Sequence, residues 1–153
     1  MIRAIVLAAG KGTRMKSATP KVLHELCGRP MLWYVIRALR DAGVDDIVVV
    51  TNEELQPRVG AFGVRGIVQS EQLGTGHAVQ VALRELSEDR GGRVLIAYGD
   101  MPLVHETVYR AVCERFTGRR GTPAQRERAA RILFDRHDRA SGAQRTSRCS
   151  ASR

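Results

Sequence analysis

The sequence predicts an α/β protein: a three-layer sandwich on a mostly parallel sheet. Short apolar runs rich in β-branched residues, at Ala4 to Ala9, Ile47 to Thr51, Val64 to Gln69 and Val94 to Tyr98, have the length of strands buried on both faces. Segments with apolar residues at helical spacing lie between them, and strands alternating with helices imply a mostly parallel sheet. Three of the runs also lead into a polar or glycine-containing loop, and in parallel sheets ligands gather outside the carboxyl ends of the strands.

The opening stretch, MIRAIVLAAG, has a basic start and a small-residue end, like a signal peptide. Its apolar core is short and runs into KGTRMK, so a buried first strand is expected instead. The loop LAAGKGTRMK, residues 7 to 16, then poses a choice. A Walker A loop needs GxxxxGK[ST], which the residues around Gly10 and Gly12 do not supply. A dinucleotide fingerprint needs a third glycine where Met15 stands, and an acidic residue where the second strand ends in Thr51 and Asn52. What stays is a phosphate-holding turn, with Lys11, Arg14 and Lys16 adding charge to backbone N–H groups, against an ordinary basic turn.

The first helix is marked by Leu32, Val35, Ile36 and Leu39 at i, i+3, i+4 and i+7, with Gly43 placed to end it; Trp33 and Tyr34 read as core or flank. After the third strand, QSEQLGTGHA at residues 69 to 78 sets Gly74, Thr75 and Gly76 before a helix, and Gln69 and Gln72 offer amides suited to a base edge; a plain capped loop is the alternative. That helix carries Val79, Ala82, Leu83 and Leu86. The fourth strand, within VLIAYGDMPL at 94 to 103, delivers Asp100 to the ligand-binding edge. A hard ion such as Mg²⁺ takes one or two carboxylates plus phosphate oxygens and water, while a solvated turn aspartate before Met101 and Pro102 is the bland alternative. A last stripe is Val108, Ala111, Val112 and Phe116.

At 153 residues the chain suits one folding unit. Cys27, Cys113 and Cys149 are odd in number and lack CxxC spacing, so they suggest neither a disulfide framework nor a zinc site and fit a reducing cytoplasm best. No apolar stretch has the length of a transmembrane helix. The net charge of +9 invites a nucleic-acid reading, yet residues 1 to 117 contribute only +2 and residues 118 to 153 contribute +7. That basic tail has one apolar cluster, Ile132 to Phe134, and is expected to be mostly disordered. With aromatic residues at 5% and no recognisable binding motif, no specific nucleic-acid partner is expected.

LAAGKGTRMKSATPKVLHELCGRPML, QSEQLGTGHAV and YGDMPL, in this order, closely resemble the uridyltransferase domain of bacterial bifunctional N-acetylglucosamine-1-phosphate uridyltransferase/glucosamine-1-phosphate acetyltransferases, a MobA-like NTP transferase domain. The likeness covers residues 1 to about 110. It implies a Rossmann-like sandwich of the nucleotide-diphospho-sugar transferase type, incomplete at the C-terminus. It implies transfer of UMP from UTP to N-acetylglucosamine 1-phosphate with release of pyrophosphate, in UDP-N-acetylglucosamine synthesis for peptidoglycan and lipopolysaccharide. On matching positions, Leu7, Ala8, Ala9, Gly10, Gln69, Gly74 and Thr75 hold the uridine, and Tyr98 and Gly99 line the site. Asp100 ligates Mg²⁺, while Arg14 and Lys21 are the catalytic cations facing the triphosphate. His24 and His77 read as packing or capping residues, because a phosphate nucleophile already ionised at neutral pH needs no base.

The likeness fades near residue 113. Relatives continue with the acceptor-sugar pocket, an asparagine that is a second Mg²⁺ ligand, and a left-handed β-helix for acetyl transfer. Residues 118 to 153 match none of these, so no acyltransferase β-helix or trimer is expected, and the tail reads as the product of a frameshift or truncation. A half sheet would leave an edge strand open to self-association. Other readings are a different sugar-1-phosphate nucleotidyltransferase, an inert UTP-binding remnant, and a nucleic-acid module acting through the tail.

Overall fold

The computed structural model describes residues 2–10, 12, 15, 17–44, 46–86 and 93–115. They fall within one compact unit, Met1–Thr117. The expectations for residues 118 to 153 lie outside the described residues, as do those for Lys11, Arg14, Lys16 and Phe116.

The first strand, β1 (Ile2–Leu7), begins and ends two residues earlier than its apolar run suggested. Ala8 and Ala9 are still buried, and the Ala8 N–H still donates to Val50 O at 2.9 Å, so the run remains in the core while the chain turns away. A single 3₁₀ turn, Lys21–Leu23, follows. A two-stranded hairpin that the apolar pattern did not reveal, β2 (Glu25–Leu26) and β3 (Arg29–Pro30), comes next. Its two loop residues, Cys27 and Gly28, have φ of 48° and 76°, the positive pair that a tight hairpin turn requires. The Tyr34 hydroxyl donates to Leu26 O at 2.7 Å, so Tyr34 flanks the core and ties the hairpin to the first helix.

That helix, α1 (Met31–Asp41), buries Leu32, Val35, Ile36 and Leu39 as its spacing predicts. It ends at Gly43 (φ 84°), where Gly43 N–H donates to Arg40 O and Val44 N–H to Leu39 O, a Schellman closure. β4 (Asp46–Thr51), the short α2 (Gln56–Val59), a 3₁₀ turn at Gly60–Phe62 and β5 (Arg65–Val68) lead to α3 (Thr75–Glu85), β6 (Arg93–Tyr98) and α4 (Glu106–Arg115).

The four long strands pair in parallel in the order β5-β4-β1-β6. Alternate residues of the sheet enter two separate cores. Ala4, Val6, Ile47, Val49, Leu95 and Ala97 pack with α1, α2 and α4 residues, including Leu39, Val59 and Tyr109. Ile5, Leu7, Val48, Val50 and Ile67 pack under Ala78 and Ala82 of α3. Two cores on opposite faces of one sheet make the expected three layers.

Two helical faces differ from the expected stripes. On α3, Leu83 is 44% exposed, and the buried contacts are Ala78 and Ala82, with Val79, Val81 and Leu86 partly buried beside them. Small alanines at i and i+4 let this helix lie close to the sheet, so the bulkier leucine is turned outward. On α4, Val108 is 52% exposed and Ala111 is exposed, while Tyr109 is buried with Val112 and Cys113 packed alongside. The larger aromatic surface wins the inward position. Burial pushes the Tyr109 hydroxyl up to about 12.

Candidate functional site

In the strand order β5-β4-β1-β6, the chain proceeds outward from β1 through β4 to β5, then returns to lay β6 on the other side of β1. The order therefore reverses beside β1, and the crevice outside the carboxyl ends of β1 and β6 is where such sheets place ligands. Leu7 ends β1 and Tyr98 ends β6, and the two are direct register partners. The predicted loops after these strands thus leave the sheet side by side.

Their closeness is enforced by a glycine. Gly99 N–H donates to Leu7 O at 2.9 Å, and a Cβ at Gly99 would stand 3.2 Å from Leu7 O and 3.3 Å from both Ala8 Cβ and Val22 Cγ1. Asp100 follows at once, and its Oδ2 accepts from Lys21 Nζ at 2.7 Å. Both side chains are partly solvated, and they join the loops after β1 and β6 across 79 positions of sequence. Lys21 is held from behind: Val22 is buried in the core, and Gly12 (φ 58°) approaches so closely that a Cβ there would lie 2.9 Å from Lys21 Cβ.

The third loop reaches the same edge. Gln72 Nε2 donates to Ala9 O at 2.9 Å, tying the loop after β5 to the loop after β1. Gln72 thereby commits one amide hydrogen to backbone. Gln69 is only 4% exposed; its backbone N–H donates to Thr51 O, and its Nε2 faces Gly74 O at 3.3 Å and His77 Nδ1 at 3.0 Å. Gly74, with φ 96°, ends the loop and stands as N-cap of α3 with no side-chain cap, leaving the N–H groups of the first turn without a side-chain acceptor. Thr75 and Gly10 are exposed, and among the described residues, chain neighbours aside, no atom lies within 4 Å of a Cβ built on Gly10.

The structure thus brings Ala8, Ala9, Gly10, Lys21, Gln69, Gly74, Thr75, Gly99 and Asp100 to one rim of the sheet. Leu7 and Tyr98 stand closer to the core: Leu7 is buried on the α3 side of the sheet, and Tyr98 packs partly buried against it. Arg14 lies outside the described residues. Sequence reasoning missed the Lys21–Asp100 pair and the part of Gly12 in supporting it. Both Gly12 and Lys21 were visible in the motif, but their close approach and the partnership of Lys21 with Asp100 were not. His24, which places Nε2 3.2 Å from Thr19 O, matches its reading as a structural residue.

The profile of the MobA-like NTP transferase domain matches residues 4–146. Among curated proteins, the chain is 54% identical over 105 residues to a bifunctional protein GlmU from Trichlorobacter lovleyi, covering 66% of this chain and 23% of that protein. It is 50% identical over 106 residues to the GlmU of Symbiobacterium thermophilum, covering 67% and 22%. The matched segment spans about a quarter of the length of these relatives. Among solved structures, a nucleotidyl transferase from Methanothermobacter superposes with a TM-score of 0.62 at 29% identity, covering 74% of this chain and 57% of that one. Rv0371c from Mycobacterium tuberculosis has the same fold, with a TM-score of 0.60 at 24% identity over 74% of this chain and 58% of its own. With its profile running from the first strand through most of the sequence, the chain belongs to the MobA-like NTP transferase domain family.

Proposed function

We propose that this rim binds UTP and that the chain derives from a nucleotidyltransferase that passes UMP to N-acetylglucosamine 1-phosphate. The observation that carries this reading is the Lys21–Asp100 pair at the strand-order reversal, where a cation for phosphate and a carboxylate for a metal stand 2.7 Å apart. Likeness to GlmU proteins at 50–54% identity over the motif-bearing segment supports the choice of uridine and of the amino-sugar phosphate.

The reaction needs little acid–base work. A phosphate oxygen of the sugar phosphate forms a new bond to the α-phosphorus of UTP, the bond between that phosphorus and the α–β bridging oxygen breaks, and pyrophosphate leaves with the electron pair. No proton moves. The barrier is repulsion between anions together with charge developing on pyrophosphate, and oriented cations and backbone donors lower it. Lys21 supplies the described side-chain cation, and the first-turn N–H groups of α3 and the glycine turn at Gly10 offer donors.

The donor set is compatible with Mg²⁺. Among the described residues no group of three His, Cys, Asp or Glu side chains could enclose an ion, and Asp100 offers a single partly exposed carboxylate. Mg²⁺ characteristically accepts one or two carboxylates and completes its shell with phosphate oxygens and water. Asp100 would hold the ion, which when bound supplies neutralisation of phosphate charge. Lys21 donates to Asp100 Oδ2, so an ion held on the same carboxylate would stand beside the lysine ammonium, both facing the phosphates.

Titration calorimetry with UTP and Mg²⁺, followed by a pyrophosphate-release assay with N-acetylglucosamine 1-phosphate, tests the reading. Binding of UTP that requires Lys21 and Asp100 supports it. Release of pyrophosphate adds the transfer step, and failure to bind any nucleoside triphosphate refutes it.

A further inference from the structure

We propose that His77 is a positioning residue that fixes the orientation of the Gln69 amide and so sets which nucleobase the rim accepts. This deepens the UTP reading and rests on it.

The argument begins with a conflict. His77 Nδ1 lies 3.0 Å from Gln69 Nε2 and 2.9 Å from Glu71 O. One nitrogen cannot accept from the amide and donate to the carbonyl together. Burial decides between them. Gln69 is 4% exposed, so an amide hydrogen deprived of His77 has little water to turn to, and an unsatisfied buried donor is costly. Glu71 is exposed, and its carbonyl already accepts from Leu73 N–H at 3.0 Å. Losing His77 costs that carbonyl little. His77 Nδ1 is therefore a lone pair, the ring carries its hydrogen on Nε2, and Gln69 gives one amide hydrogen to His77 and the other to Gly74 O.

With both amide hydrogens engaged, the direction of Oε1 is fixed. Among the described residues Oε1 has no hydrogen-bond partner, and no fully buried side-chain oxygen or nitrogen there lacks one, so Oε1 carries part of the little exposure that Gln69 keeps at the rim. An acceptor there suits a base with a ring N–H, such as the N3–H of uracil. Cytosine presents a lone pair at N3, and two acceptors would face each other. Sites built to complete such a bond discriminate strongly, because the wrong partner leaves a buried group unpaired. If Nδ1 carried the hydrogen, it would face an amide hydrogen, and the Gln69 amide would have to leave either His77 or Gly74 O, releasing Oε1 from its direction. A histidine remote from the chemistry thereby selects the base.

The test compares UTP and CTP affinities by calorimetry for the wild-type chain, His77→Leu and His77→Asn, with thermal unfolding to confirm that each is folded. His77→Leu should reduce the UTP-over-CTP preference by at least about tenfold. His77→Asn, whose side-chain oxygen can stand in for Nδ1, should keep most of it. Wild-type preference in His77→Leu would overturn the proposal. The ring ¹⁵N shifts of His77 in the wild-type chain give a readout that does not depend on a variant folding. They should report hydrogen on Nε2 alone, and hydrogen on Nδ1 would overturn the proposal. Absence of UTP binding in the wild type would instead refute the functional reading, while the ring shifts would still decide the contact.

Discussion

Replacing Lys21 by methionine should move two ligands in opposite directions. Lys21 and Asp100 are 40% and 28% exposed and 2.7 Å apart, so their pair belongs to the screened, partly solvated class that contributes at most about 1 kcal/mol. Removing the lysine releases the Asp100 carboxylate from that competitor. A divalent ion offered alone should then bind up to about fivefold more tightly. UTP should bind more weakly, because a charge-assisted bond to phosphate contributes about 1.5–3 kcal/mol, or roughly ten- to 150-fold in affinity. Manganese, a carboxylate-seeking ion visible by paramagnetic resonance, serves for the first titration, and calorimetry with UTP for the second. Thermal unfolding checks that the variant is folded. If Lys21→Met weakens manganese and UTP alike, or changes neither, the pair is not the junction of the metal and phosphate sites and the assignment of both residues fails.

Three further outcomes are expected. Gly12→Ala should cost about 1–2 kcal/mol for an L-residue at φ 58° and, by pushing on Lys21 Cβ, weaken UTP binding severalfold; unchanged melting and binding would show that the loop has no such constraint. Leu39→Ala, at a fully buried position of α1, should lower stability by about 2–5 kcal/mol in urea unfolding, and a change under 1 kcal/mol would contradict the packing. Tyr109 holds its proton more tightly when folded, with its pKa raised from 10.0 to about 12, so its contribution is complete below pH 10 and is lost as pH rises toward 12. Tyr109→Phe should therefore flatten the loss of stability between pH 10 and 12 relative to the wild type; parallel profiles for the two proteins would refute that burial.

Much of this molecule was legible in local pattern. Apolar runs of strand length placed the four parallel strands within two residues: unbroken in the central β1 and β4, which are buried on both faces, and interrupted by Arg65 and Gly66 in the edge strand β5. Leu32, Val35, Ile36 and Leu39 were read as a buried face, and Gly43 as its end, since helical period and a left-handed cap are local properties. The hairpin at Glu25–Pro30 escaped because two-residue strands carry no period. On α3 and α4 several apolar residues could have formed the inner face. Which of them did was set by the space beside the sheet, which admitted Ala78, Ala82 and Tyr109 and turned Leu83 and Val108 outward.

The residue types of the site were likewise visible from the chain alone: glycine turns, a carboxylate after a strand, amides before a helix. Their partnerships were not. Strand order put β1 beside β6 and so brought Lys21 to Asp100, Gly99 against Leu7, and Gln72 to Ala9. Burial then settled which neighbour His77 Nδ1 must serve. Sequence fixes the chemistry each loop can offer, because that resides in single side chains and short turns. Only the folded sheet decides which offers meet, because contact between distant residues depends on the order of the strands and on how much water is left between them.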